Sequence, residues 1–302
     1  MGRVTTVTKP HAAFETTLDA LRGPDGLPGF SHNLVLIVGV GRSGTTALKQ
    51  ALGTHPQLLG TDHEAPLQRA IASAFGKHLT GTDDFRRFVR RATVADWDNI
   101  ETSFRRLILE ASIGDNAGIE RLRSEHSQGR DLTNITGWLA KIGGLQRPAA
   151  AGFAGLFRGL KPVLIHRNGI DTVQSRTRFG NFAADTFEAH CKKWALNLRF
   201  LRALEEQAAV VTVRHDDLLA RPEELFERVF TELGLDQYPE PAHHARNTPS
   251  HPTQEVDDGE TIAEHFEARE AAHETWNDEQ KRIFIDTCGK AMQELGYDIP
   301  FA

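Results

Sequence analysis

The sequence predicts an α/β fold of three layers, in which helices flank a central, mainly parallel sheet of four or five strands. Two observations predict this fold. Short apolar pieces, at 34–39, 55–60, 134–141, 162–167 and 210–213, alternate with stretches that have helical spacing. The pieces at 34–38 and 163–165 are apolar without interruption, which is typical of strands buried on both faces of a parallel sheet.

Composition limits the possible classes of protein. The 302 residues are 39% hydrophobic and 25% charged, with a net charge of −6, so no general attraction toward nucleic acid is expected. We expect a single domain with its core at about 33–66 and 131–298. The two cysteines, Cys191 and Cys288, lie far apart in sequence without a CxxC pair, so neither a zinc site nor a disulfide framework is expected.

The N-terminal segment carries no signal for secretion. It lacks the apolar core of about 7–15 residues that a signal peptide needs, and no run approaches the ~20 apolar residues of a membrane span. A cytoplasmic protein with no membrane span is therefore expected, with residues 1–10 disordered.

The first strand leads into a glycine-rich loop, GVGRSGTT, which runs from Gly39 to Thr46. Thr45 and Thr46 can cap the helix that follows. A strand, a tight glycine loop and a helix present backbone N–H groups and the positive end of the helix dipole, so the expected ligand is an anion, most often a phosphate. An ordinary tight turn between strand and helix is the alternative.

One position distinguishes between classes of phosphate loop. The triphosphate loop is GxxxxGK[ST], and Gly39 and Gly44 match its glycines, but Thr45 occupies the lysine position. This disfavours a kinase or NTPase. Arg42 supplies the positive charge instead. Its guanidinium suits an anion shorter than a magnesium-bound triphosphate.

A second motif follows the strand at 162–167. Arg167 closes that strand and Ser175 lies about two turns into the next helix, so both can face one anion above the sheet. Arg42, Glu64, Lys141, Arg167 and His215 all come just after predicted strands. Because ligands of parallel sheets bind at the carboxyl ends of the strands, we expect these side chains to share one site.

The two motifs together resemble those of sulfotransferases that use 3′-phosphoadenosine 5′-phosphosulfate (PAPS), whose phosphosulfate loop has the form [KR]SGTT. The resemblance spans roughly residues 33–298 and implies a P-loop-NTPase-like fold. It implies that the 5′-phosphosulfate binds at Gly41, Arg42, Ser43, Gly44, Thr45 and Thr46, and that Arg167 and Ser175 hold the 3′-phosphate. Asn168 and Gly169 replace the Asp-Pro that usually follows the family's arginine.

The resemblance also implies the remaining site residues. Lys141 resembles the active-site lysine of many members, and His215 stands where an aromatic residue often packs on the adenine. The reaction would release adenosine 3′,5′-bisphosphate (PAP) and need no metal. Glu64, His63 and Asp62 are the candidate bases; Glu64 is preferred, because tyrosylprotein and bacterial carbohydrate sulfotransferases have a glutamate after a similar segment.

Residues 67–130 carry helical patterns and no strand signal, so they are predicted to form a helical cap over the acceptor or a layer packed on the sheet. Residues 239–262 are predicted to be a polar surface loop. Residues 142–150 are expected to be irregular, with a helix at 153–160. The acceptor hydroxyl is open: a small molecule, a carbohydrate or a peptide tyrosine. Two other classes also stay open, a small-molecule kinase with a degenerate phosphate loop and a non-catalytic nucleotide-binding protein.

Overall fold

A computed structural model describes residues 27–60, 66–80, 94–113, 124, 129–143, 147–178, 180–182, 184–206, 209–248 and 272–302. Its chain contacts define two compact units. One unit comprises Met1–Val35, Pro56–Ala140 and Arg147–Leu160, and the other comprises Leu36–His55, Lys141–Gln146 and Lys161–Ala302. The single domain expected from the sequence stays a prediction.

Five strands form one sheet, and this confirms the predicted α/β fold with a mainly parallel sheet. They are β1 (Leu34–Gly39), β2 (Leu58–Gly60), β3 (Gly137–Gly143), β4 (Lys161–His166) and β5 (Val211–Arg214). The order across the sheet is β2-β3-β1-β4-β5, with β2 parallel to β3 and β4 parallel to β5. Strands β2 and β3 lie on one side of β1, and β4 and β5 lie on the other. The strand order therefore reverses between β1 and β4. Sheets of this kind bind ligands at that point.

Ten α-helices are described. They are α1 (Thr45–Leu52), α2 (Pro66–Thr80), α3 (Val94–Ile113), α4 (Arg147–Leu156), α5 (Gly169–Arg178), α6 (Phe187–Glu205), α7 (His215–Ala220), α8 (Pro222–Leu233), α9 (Glu240–Asn247) and α10 (Asp278–Glu294). All six residues of β1 are buried, as its continuous apolar sequence predicted.

Two local predictions were wrong. The segment predicted to be a loop from residue 239 onward begins instead with α9, because Glu240 and Pro241 suit the first turn of a helix and Pro241 and Ala242 are buried. A helix was expected only from residue 153, but α4 already begins at Arg147. Residues 249–262 of the predicted loop lie outside the described residues.

Helix α2 packs very closely on α4. A methyl group added at Gly76 would overlap the carbonyl oxygen of Pro148, and one added at Gly152 would overlap that of Ala72. The two helices therefore approach backbone to backbone through their glycines. The first part of the predicted cap is thus a packed helix, and its role toward an acceptor stays a prediction.

Candidate active site

The glycine-rich loop ends at Gly44, which adopts a left-handed conformation with φ 90° and is the N-cap of α1. No side chain caps this helix, and Thr45 and Thr46 are its first two residues. The predicted capping by these threonines is therefore wrong. Because the first N–H groups of a helix have no partner within it, the start of α1 offers amide donors and the positive end of its dipole to an anion in the loop.

Arg42 has an unusual backbone conformation. Its φ is 78°, and within the described part of the chain it is the one residue other than glycine with positive φ. Such a conformation costs about 1 kcal/mol or more for a residue with a side chain and persists where surrounding contacts impose it, often at a functional site. Its Nε donates a hydrogen bond of 3.0 Å to Oγ of Ser175 in α5, so the loop and the second motif meet.

Contacts with β4 fix the loop on the sheet. Ser43 is fully buried, and its hydroxyl donates to the carbonyl oxygen of Ile165 at 3.4 Å. A methyl group added at Gly39 would lie 2.6 Å from Oγ of Ser43 and 2.7 Å from the Ile165 oxygen. There is no room for a side chain at Gly39, which is why the strand must end in glycine.

Lys141 reaches the same loop from β3. It is buried, and its Nζ donates a hydrogen bond of 2.8 Å to Oγ1 of Thr46. This contact places an ammonium group beside the first turn of α1, where the sequence motif predicted a nearby cation.

The packing around the turn after Arg167 explains why Asn168 and Gly169 replace the Asp-Pro that the resemblance leads one to expect. A methyl group at Gly169 would lie 2.8 Å from Cζ2 of Trp194 and 3.0 Å from Sδ of Met292, so the ring of a proline has no space here. The side-chain oxygen of Asn168 accepts a hydrogen bond of 2.9 Å from the N–H of Ile170 and so stabilises the start of α5. Glycine and asparagine together therefore preserve the turn that delivers Arg167 to the sheet edge.

Positive charge is concentrated around the loop. Burial, followed by the charge of Arg167, lowers the pKa of Arg42. The same two causes lower the pKa of His215 well below its ordinary value. Arg167 itself forms an ion pair with Asp171, at 3.5 Å between Nη2 and Oδ2. A bound anion would relieve the repulsion between the guanidinium groups of Arg42 and Arg167.

His215 also packs directly on the loop. A methyl group at Gly44 would overlap its Cδ2 atom and lie 3.3 Å from Cδ1 of Ile165. The imidazole is buried, and the low pKa keeps it neutral near pH 7. A neutral ring beside the loop is compatible with stacking on a base, the role that the resemblance implies.

The structure thus joins the glycine-rich loop to Ser175, Lys141 and His215 by direct contacts, and Arg167 lies within electrostatic range of Arg42. The candidate bases Asp62, His63 and Glu64 lie outside the described residues. Sequence reasoning missed Arg176 and Phe182, which contact Gly41. It also missed the hydrogen bond of 3.1 Å between Nδ1 of His166 and the hydroxyl of Tyr297. The sequence did offer one indication of Arg176, because it is a charged residue that directly follows Ser175 of the second motif.

Comparison with known proteins assigns the class. The family model described as "Sulfotransferase family" matches residues 35–240, which is more than half of the chain, and the protein therefore belongs to the sulfotransferase family. A search of curated proteins gave no match.

The chain is similar to solved structures of sulfotransferases. The sulfotransferase domain from the Synechococcus PCC 7002 olefin synthase is 17% identical, with a TM-score of 0.51 over 89% of this chain and 96% of that one. The sulfotransferase domain from the curacin biosynthetic pathway is 13% identical, with a TM-score of 0.48 over 89% and 99%. Mouse sulfotransferase SULT7A1, solved in complex with PAP, is 13% identical, with a TM-score of 0.47 over 92% of each chain.

Two kinds of feature are absent from the described residues. No group of three or more His, Cys, Asp or Glu side chains there is arranged to hold a metal ion. None of the helices in those ranges is both long and apolar enough to cross a membrane.

Proposed function

We propose that the protein transfers the sulfuryl group of PAPS to a hydroxyl of an acceptor and releases PAP. The observation that carries the proposal is the hydrogen bond between Arg42 of the loop and Ser175 of the second motif. It joins the segment expected to bind the 5′-phosphosulfate to the segment expected to bind the 3′-phosphate. A donor with phosphate groups at both positions is the ligand that needs both segments at once.

Each cation has a separate role in this proposal. The N–H groups of the loop and of the start of α1 bind the 5′-phosphate. Arg167 and Ser175 bind the 3′-phosphate, and His215 packs on the adenine. Lys141, fixed by Thr46, and Arg42 stabilise the charge that develops on the leaving phosphate and the sulfuryl oxygens.

The transfer itself is an in-line displacement at sulfur. The acceptor oxygen forms a bond to sulfur while the bond between sulfur and the bridging oxygen breaks, and PAP leaves with that electron pair. The proton of the acceptor hydroxyl passes to a base. We propose Glu64 for this role, with His63 as the alternative.

The acceptor is a hydroxyl compound, and we propose a small molecule, a carbohydrate or a peptide as its source. The regions expected to select it are 67–130 and the segment from 239 to 262. We also propose that the protein acts in the cytoplasm.

Calorimetric titration with PAP tests the donor site. We expect the wild-type protein to bind PAP with micromolar affinity and not to bind ATP, since Thr45 replaces the lysine of a triphosphate loop. Arg167→Ala should abolish measurable PAP binding, whereas Arg199→Ala, which removes an exposed arginine of α6, should leave it unchanged. Binding of ATP in preference to PAP would overturn the proposal.

A further inference from the structure

Arg176 is a buried arginine whose hydrogen-bonding capacity the described protein does not use. The residue is 5% exposed and its Nε has no hydrogen-bond partner. Its guanidinium forms an ion pair with Asp185, at 3.7 Å between Nη2 and Oδ2, and its Cζ stacks over the Phe182 ring at 4.0 Å from the centroid. Buried polar groups are nearly always hydrogen-bonded, so this guanidinium requires an explanation.

Asp185 does not supply that explanation. Its Oδ2 accepts a hydrogen bond of 2.7 Å from Nζ of Lys193 and lies 3.9 Å from Nδ1 of His190. The carboxylate is therefore shared among three basic side chains, and its short hydrogen bond goes to Lys193. A separation of 3.7 Å leaves Arg176 with electrostatic attraction but without a hydrogen bond. Desolvation accordingly lowers the pKa of Arg176, with Asp185 acting in the opposite direction.

The Nη1 atom of the Arg176 guanidinium lies beside the glycine-rich loop. A methyl group at Gly41 would be 3.1 Å from Nη1 of Arg176 and 3.4 Å from Cζ of Phe182. The guanidinium therefore contacts the loop at Gly41, whereas His215 contacts it at Gly44. The loop has one end next to the residue proposed for the adenine and another end next to Arg176.

This arrangement matches the two ends of the donor. If the nucleoside lies toward His215 and the 5′-phosphate lies on the amides that begin α1, the sulfuryl group extends toward Gly41. A sulfuryl group carries a negative charge and three oxygens that accept hydrogen bonds, and a guanidinium fork is well suited to bind two of them.

We infer that Arg176 is a further residue of the donor site, and that its guanidinium binds the sulfuryl group that is transferred. The inference rests on the proposed function. Arg176 would hold the sulfuryl oxygens in the ground state and stabilise them as the bond to the bridging oxygen breaks, while Phe182 and Asp185 position the guanidinium. PAP, which lacks the sulfuryl group, would not contact Arg176.

Binding of PAP and of PAPS, measured separately in the absence of acceptor, tests this inference. The test variant is Arg176→Met, which keeps an unbranched side chain over the Phe182 ring and removes the charge. We expect PAPS affinity to fall about tenfold to a hundredfold, the usual effect of losing a hydrogen bond to a charged group. PAP affinity should change less than about twofold. Arg178→Met, at an exposed arginine of the same helix, is the matched control and should change neither affinity.

The outcomes separate the inference from the function on which it rests. If the wild-type protein binds neither PAP nor PAPS, the proposed function fails. If it binds both and Arg176→Met weakens them equally or not at all, the function stands and the inference is wrong. Should Arg176→Met fold poorly in a thermal melt, Arg176→Lys retains the charge without the fork, and it should weaken PAPS binding selectively to a smaller extent; equal weakening of PAP would again contradict the inference.

Discussion

The Nε atom of Arg42 lies 3.0 Å from Oγ of Ser175, although the two residues are 133 positions apart in sequence. The hydrogen bond fixes the direction of a side chain whose backbone is already held at φ 78°. A ligand that uses both residues therefore meets them already positioned, and their effects on binding should be coupled.

A double-mutant cycle measures this coupling. We expect Ser175→Ala to weaken PAP binding about tenfold, since it removes a proposed ligand of the 3′-phosphate and releases Arg42. Arg42→Ala should weaken binding at least as much, and the double variant should lose less than the sum of the two free-energy changes. Titration calorimetry on the four proteins gives the coupling, and strict additivity would show that the two residues act independently.

Gly44 should tolerate no side chain, for two separable reasons. Its φ of 90° is costly for alanine, by about 1 kcal/mol, and a methyl group there would overlap His215. Gly129 is a matched control because its φ is 95° and nothing lies within 4 Å of an added methyl group. Urea denaturation should show a larger loss of stability for Gly44→Ala than for Gly129→Ala. In a His215→Ala background, which is the reference because His215 is itself buried, Gly44→Ala should cost no more than Gly129→Ala. Equal losses in the two single variants would exclude the steric effect.

The sequence predicted the sheet and the loop well because both depend on local patterns. A strand buried on both faces has a continuous apolar sequence, and a phosphate loop needs its glycines at fixed spacing. Helix α9 was missed because its sequence, EPAHHARN, is polar, and only its packing buries Pro241 and Ala242. Helix α4 was predicted to begin too late because Pro148 and Gly152 are residues typical of turns. Pro148 lies instead in the first turn of the helix, where proline is tolerated, and Gly152 is used for close packing on α2.

The site was predictable residue by residue but not contact by contact. Strand ends located Arg42 and Arg167, because neighbouring parallel strands end at one edge of the sheet. Lys141 was predicted to follow its strand but lies within β3, which continues to Gly143. Nothing in the sequence indicates that Ser175 faces Arg42, or that Arg176 turns inward to Gly41. An arginine on a helix is usually solvated, and this one is buried by tertiary contacts that include Phe182 and Asp185.

Removal of the Lys141 ammonium group should affect catalysis more than binding. Its Nζ is hydrogen-bonded to Thr46 at the start of α1, where charge develops on the leaving phosphate in the proposed reaction. We expect Lys141→Met to lower kcat about a hundredfold to a thousandfold, as loss of a stabilising donor typically does, with PAP affinity reduced less than about tenfold.

Turnover of PAPS with an acceptor, together with PAP titration, distinguishes the two effects of Lys141→Met. Lys192→Met, at an exposed lysine of α6, is the control and should retain both. A variant at Lys141 that loses PAP binding to the same extent as turnover would show that the lysine serves binding alone.

His166 should make the protein less stable as the pH falls below about 6.5. Its buried imidazole has a pKa of about 4, because desolvation and then the charges of Arg214 and Arg202 oppose protonation, with Asp217 acting in the other direction. Between its ordinary pKa of 6.5 and the folded value, the unfolded chain binds a proton that the folded protein does not. Folding is therefore progressively less favourable from pH 6.5 down to pH 4, by about 3 kcal/mol in total from this residue.

The contribution of His166 is measured by urea denaturation between pH 7 and pH 4.5 in the wild type and in His166→Gln, which cannot titrate. As the pH falls, the free energy of unfolding should decrease less steeply in the variant than in the wild type. The difference between the two slopes should reach up to about 1.4 kcal/mol per pH unit. Some dependence should remain, since the pKa values of His190, His215 and His244 are also lowered. Tyr297→Phe keeps the ring that packs on His166 and under Arg214 and removes only the hydroxyl, so its pH dependence should stay close to that of the wild type. Equal slopes in the wild type and His166→Gln would mean that His166 titrates in the folded protein as it does in the unfolded chain.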